Sequence, residues 1–238
     1  MNAARWIPLP RLIEPTFTLV AQLRSGRAVH RGGEVFQGKL HLDDAGSPTV
    51  RALGGPAELP ALVRLSKGLG TPGEAPDILG IALRLRPDSD DPIDILTSTV
   101  GRRGWRRMLP AASRGWRSQP YSTVLPYRAQ GQTVMLGLRP RFYDDAGASP
   151  QTAAALAGNA ALELLLEERR GGAWHAVGRL HVGAVVERDL AFDPYLVNLP
   201  DLAPVPFLAA TRRHAYRGSR RGRGAALGMA RRPRAARR

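Results

Sequence analysis

Short apolar segments bounded by Gly, Pro and Asp recur along the chain: 17–23, 35–42, 62–66, 80–85, 93–97, 133–138, 162–167 and 176–186. In Ile81-Ala82-Leu83-Arg84-Leu85 and Val134-Met135-Leu136-Gly137-Leu138 the larger apolar side chains fall on every second residue, the pattern of a half-buried strand. About eight such segments predict a β-rich core. Helical patterns are fewer. Residues 57–63 suit a turn that opens a helix, 102–117 is amphipathic but broken by Pro110, and 150–161 is rich in Ala. Residues 160–168 fit a helix or a strand. Four prolines in 193–206 exclude a regular helix or central strand, so this segment should cross a surface or wrap a pocket.

A chain of 238 residues is long enough for one large domain with a substantial core. No apolar run approaches the roughly 20 residues that span a bilayer, and Met1–Pro10 lacks the apolar stretch of a signal peptide. A cytoplasmic location is therefore expected. The absence of Cys excludes disulfides, thiolate-ligated haem, iron–sulfur clusters and Cys-ligated zinc. Any metal must be held by His, Tyr or a carboxylate.

The net charge of +15 is unevenly distributed: residues 217–238 hold nine Arg and no acid, which leaves +6 for residues 1–216. Among 35 basic residues only Lys39 and Lys67 are Lys. From Gly224 the chain is Arg, Ala and Gly with too little apolar content to order itself, and reads as a flexible tail over 224–238.

Two polar constellations stand out. Arg212-Arg213-His214-Ala215-Tyr216 places an Arg four residues before a Tyr, one helical turn away on the same face, where a guanidinium can reach a phenolate oxygen. Near the other end stands Arg27-Ala28-Val29-His30-Arg31-Gly32-Gly33. A His beside Gly-Gly also suits the surface of a hairpin, and an Arg-rich helix also suits phosphate.

Taken in order, five segments resemble the catalase superfamily, in particular its small catalase-like haem peroxidases. They are the His30 segment with Val35-Phe36-Gln37-Gly38; Val63-Arg64-Leu65-Ser66 with Pro76-Asp77-Ile78-Leu79-Gly80-Ile81-Ala82; Asp94-Ile95-Leu96-Thr97-Ser98; Gln119-Pro120-Tyr121-Ser122 through Pro126-Tyr127-Arg128; and Phe192-Asp193-Pro194 followed by Arg212 to Tyr216, Ser219, Arg221 and Arg223. The resemblance covers about 26–223. It implies an antiparallel β-barrel of about eight strands with flanking helices, an α+β fold, in a haem-binding domain over 1–223.

The resemblance also implies site roles. Tyr216 would be the proximal ligand of the iron of haem b, with Arg212 supporting the phenolate, and His30, on the inner side of the barrel, would be the distal acid/base. Ser66 would orient His30, and Arg27, Arg64 and Arg223 would pair with the haem propionates. Ser98 takes the place of the family's distal Asn. A hydroxyl lacks the fixed two-donor geometry of an amide, so peroxidation or hydroperoxide chemistry fits better than efficient peroxide dismutation. The expected activity is that of a haem-dependent peroxidase or weak catalase acting on hydrogen peroxide or organic hydroperoxides, with a reductant the sequence does not name.

Two other readings use the same residues differently. One is a basic protein that binds nucleic acid or an anionic surface through its tail, although Tyr216 is the sole aromatic from residue 208 onward. The other is a catalase-like fold that has lost haem. Gly-x-Ser-x-Gly, His-Glu-x-x-His and phosphate-loop motifs are all missing.

Overall fold

The computed structural model describes residues 33–205, except 103–105, 108, 124, 142–146, 158–161, 189, 191 and 195–196. In chain order the elements are β1 (Glu34–Leu42), α1 (Pro48–Ala52), β2 (Ala57–Lys67), β3 (Leu79–Leu85), β4 (Ile93–Thr99), β5 (Tyr121–Ser122), β6 (Tyr127–Ala129), β7 (Gln132–Arg141), α2 (Pro150–Ala157), β8 (Leu162–Arg170), β9 (Ala173–Val185) and β10 (Leu202–Pro204). Strands β7, β5, β4, β3, β2, β1, β9 and β8 are hydrogen-bonded in that order, all antiparallel, and β8 pairs back onto β7. The result is a closed eight-stranded barrel, with β6 and β10 added beside β7.

Alternation decides which side chains fill it. Phe36, Val63, Leu83 and Ile95 lie level across β1 to β4 and point inward, as do Leu40, Leu180 and Leu164 across β1, β9 and β8. These residues are fully buried, and burial of each aliphatic side chain is worth about 1.5–3 kcal/mol. The interior is a packed aliphatic core. Hairpin β8–β9 turns on Gly171-Gly172, both at positive φ, the conformation a two-residue type I′ turn requires.

Two short helices cover the barrel ends. In α1 the N-cap Ser47 hydroxyl accepts from Val50 N and donates to the buried carboxylate of Glu168, which also accepts from Thr49 N. In α2, Ala153 joins the apolar cluster, and the Glu74 carboxylate accepts from Ser149 N at 2.9 Å and from the Thr152 hydroxyl.

The architecture is mostly β rather than α+β. Residues 57–63, which suit the start of a helix by sequence, are the first part of β2. Pro60 sits just past the last residue paired with β3, where its carbonyl accepts from Arg86 N at 2.9 Å and the ladder asks for no N–H from it. Among the described residues of 102–117 there is no α-helix. Within the ambiguous 160–168 segment, the described residues 162–168 belong to β8, because β7 and β9 flank them on both sides. The 150–161 pattern is helical over 150–157. The apolar run at 17–23 lies outside the described residues.

Candidate functional site

Three of the eight site residues inferred from sequence fall within the described chain, and the barrel brings them to one face. Arg64 and Ser66 are on β2 and Ser98 on β4. Because Val63 and Leu65 point inward, Arg64 and Ser66 point outward, and the register Ser66–Gly80–Ser98 sets Ser98 on the same outer wall. One strand intervenes, so the two serines stand about 10 Å apart. The inner side, where the sequence reading sets the site, is filled by aliphatic side chains. A pocket built on these residues has to lie outside the barrel. His30, Arg27, Arg212, Tyr216 and Arg223 lie outside the described residues.

This outer wall is unusual in being covered. Val35, Leu62, Arg64, Ser66 and Ser98 all point away from the core, yet their exposures are only 5–9%. Between them lie the half-buried Gly80, Ala82 and Leu96. The small residues leave room: a Cβ on Gly80 would stand 3.1 Å from the Ser66 hydroxyl. Gly33 contributes in the same way. A Cβ there would come within 2.7 Å of Arg64 Nε, so the glycine next to β1 lets the guanidinium lie against the backbone.

One row further along the same wall, a buried ion pair fastens a distant segment. Arg84 Nε and Nη2 donate to the two carboxylate oxygens of Asp94, each at 2.7 Å, and Asp94 is fully buried. Asp193 N donates to Asp94 Oδ2 at 2.7 Å, Asp94 N donates to Val197 O, and the Arg84 guanidinium lies 5.1 Å from the Phe192 ring centroid. The Phe192-Asp193-Pro194 turn is thereby fixed to β3 and β4 beside Ala82 and Leu96. Sequence reasoning assigns no role to either Asp94 or Arg84. Their signal is a charged residue on the outward phase of each of two adjacent apolar strands.

Asp77, also buried, has an organising role. Its carboxylate accepts from Leu69 N, Thr71 N and the Thr71 hydroxyl, all within 2.9 Å, which shapes the connection between β2 and β3. Among the described residues no group of three or more His, Asp or Glu side chains is placed to hold a metal ion.

No family model and no curated protein matches the chain. Among solved structures, a bacterial catalase superposes with a TM-score of 0.57 at 16% identity, over 92% of this chain and 62% of that one. The fold is catalase-like. A fungal catalase gives 0.55 at 13% identity, over 94% and 65%. At these identities the likeness is one of fold, and the chain spans less than two thirds of the length of either catalase. Within the catalase-like barrel, Arg64, Ser66 and Ser98 occupy one covered outer wall. No helix among the described residues is long and apolar enough to cross a membrane.

Proposed function

We propose that the protein is a catalase-like haem peroxidase whose haem lies on the outer wall formed by β2, β3 and β4. The observation that carries this reading is the set of outward residues there: a guanidinium and two hydroxyls, buried, flanking the small side chains of Gly80 and Ala82. A flat macrocycle with two carboxylates fits that wall, since it needs low ground beneath it and a permanently charged fork at its rim. Bound haem would supply the redox-active iron that splits a peroxide O–O bond.

The chain's own residues would do the rest. Arg64, with Arg27 and Arg223, would pair with propionates, and Tyr216 would be the iron ligand. Tyr ordinarily ionises near pH ~10, and Arg212 one turn away would favour its phenolate form. His30 would take a proton from one peroxide oxygen and deliver it to the other, and a hydrogen bond from Ser66 would fix its ring angle. Ser98 would offer one hydroxyl to the peroxide. This favours peroxidation of a donor over dismutation and leaves room for organic hydroperoxides.

The test is an absorption spectrum of protein purified after haem supplementation, followed by peroxide addition. A Soret band near ~400 nm is expected, as for ferric haem with an oxygen ligand. His30→Ala should retain haem and react with peroxide about 100-fold more slowly. Absence of the band, or an unchanged rate in His30→Ala, would remove the haem or the acid–base assignment respectively.

A further inference from the structure

Residues 33–205 contain 19 Lys/Arg and 19 Asp/Glu, so the barrel region is neutral overall, but its charge is segregated. The connection from β4 to β5, residues 101–120, holds six Arg and no acidic residue. Arg102, Arg106, Arg114 and Arg117 are exposed, and Arg107 is half-buried. The connection is held against the barrel at several points. Val100 N donates to Pro120 O, Ala111 N to Thr99 O, and Asp77 and Ser113 exchange two backbone hydrogen bonds at 3.1 and 2.7 Å.

Arg107 is a further anchor. Its guanidinium lies 4.8 Å from the Trp174 ring centroid, and the ring packs so closely on Gly137 that a Cβ there would stand 2.8 Å from it. Burial lowers the Arg107 pKa, and the nearby Arg139 and Arg169 lower it further against the opposing pull of Glu167. Near Arg107 the connection meets Arg169 and the Arg139–Glu167 ion pair of β7 and β8. A strip this rich in fixed guanidinium groups is matched by a polyanion.

We propose that the connection between β4 and β5 is a docking surface for the phosphodiester backbone of nucleic acid, bound without base readout. Arginine forks match phosphate geometry better than lysine does. Among the described residues of this connection no aromatic ring is open for base stacking: Trp116 is fully buried, with its indole N–H donating to Ser149 O at 3.1 Å. Insertion into a lipid surface is also disfavoured. Among the described residues the exposed large hydrophobics are Leu69 and Val185, and neither belongs to this segment.

The test is fluorescence anisotropy of the full chain with labelled duplex DNA of two unrelated sequences, from about 50 to 200 mM salt. Both duplexes should bind with similar affinity. The variant R102Q/R106Q/R114Q/R117Q should bind more weakly, and its slope of log K against log salt should be shallower by up to about 3.6, near 0.9 for each phosphate no longer neutralised. R114E alone should weaken binding in the same direction with unchanged thermal melting, which separates loss of binding from loss of loop contacts such as that of Arg102 with Ser118 O. A variant of the terminal tail, R231Q/R232Q/R234Q/R237Q/R238Q, should keep the loop-dependent part of the slope. The proposal is overturned by absence of duplex binding at about 50 mM salt, by a loop variant with the native slope, or by strong preference for one duplex. Retention on anionic vesicles without duplex binding would also overturn it, in favour of a membrane surface.

Discussion

The outer wall of the barrel exists in two versions. Over β2, β3 and β4 the outward residues Leu62, Arg64, Ser66 and Ser98 are buried and Gly80, Ala82, Arg84 and Leu96 are half-buried. Over β1, β9 and β8 the outward residues include Lys39, His41, Arg179, His181 and Glu163, mostly exposed, with open ion pairs such as Lys39–Glu58 at 2.6 Å and Arg179–Asp43 at 3.5 Å, and with His181 Nδ1 3.8 Å from the Glu163 carboxylate. The inward phase is aliphatic on both sides. The outward phase differs in what lies over it: on β3 and β4 the 192–197 segment is packed against the barrel.

Substitutions that separate the barrel from its two walls should therefore differ in scale. The largest loss of stability is expected from Asp94→Ala, which removes the fully buried partner of the half-buried Arg84 and releases the 192–197 segment; about 3–5 kcal/mol in urea unfolding is the order for one partner of a buried pair. A loss below about 1 kcal/mol would show that the pair does not fasten that segment. Leu83→Ala, on the inward phase of the same strand as Arg84, should cost about 2–5 kcal/mol through cavity formation.

A smaller effect is expected at acid pH. Hydrogen bonds from the Thr152 hydroxyl and Ser149 N hold the Glu74 pKa below its ordinary 4.5. A depressed carboxylate stabilises the fold above its unfolded pKa and loses that contribution as pH falls through the folded value. Glu74→Gln should flatten the fall in melting temperature below about pH 4.5; an unchanged acid limb would contradict this capping role for α2. Lys39→Ala on the open wall should change stability by less than about 1 kcal/mol, since the Lys39 and Glu58 side chains are 68% and 55% exposed.

Much of the barrel was legible because strands bury alternate residues: β3 and β7 can be read directly in Ile81–Leu85 and Val134–Leu138. Local pattern was insufficient where partners decide. Leu162–Glu168 contains good helix formers, yet two neighbouring strands make it β8. The basic 102–117 segment has helical spacing, but Pro110 and the anchoring of Arg107 on Trp174 tie it to the barrel in another form. At the site, the hydroxyl and guanidinium positions could be inferred from the residue order around Arg64, Ser66 and Ser98. Their outward direction could not, because alternation gives two faces without saying which is the inside of a closed barrel. Asp94 and Arg84 were hidden for a related reason: a charged side chain in an apolar strand reads as solvent-facing until a partner buries it.

Haem retention after gel filtration, in chains with one bulky residue placed on each wall, tests the central claim most directly. Ala82→Trp fills the covered wall between Arg64, Ser66 and Ser98, and His181→Trp adds the same bulk to the open wall. Native protein and His181→Trp should carry haem with a Soret band near ~400 nm, whereas Ala82→Trp, folded by thermal melting, should elute without it. Equal haem retention in native protein and folded Ala82→Trp would contradict a haem site on this wall.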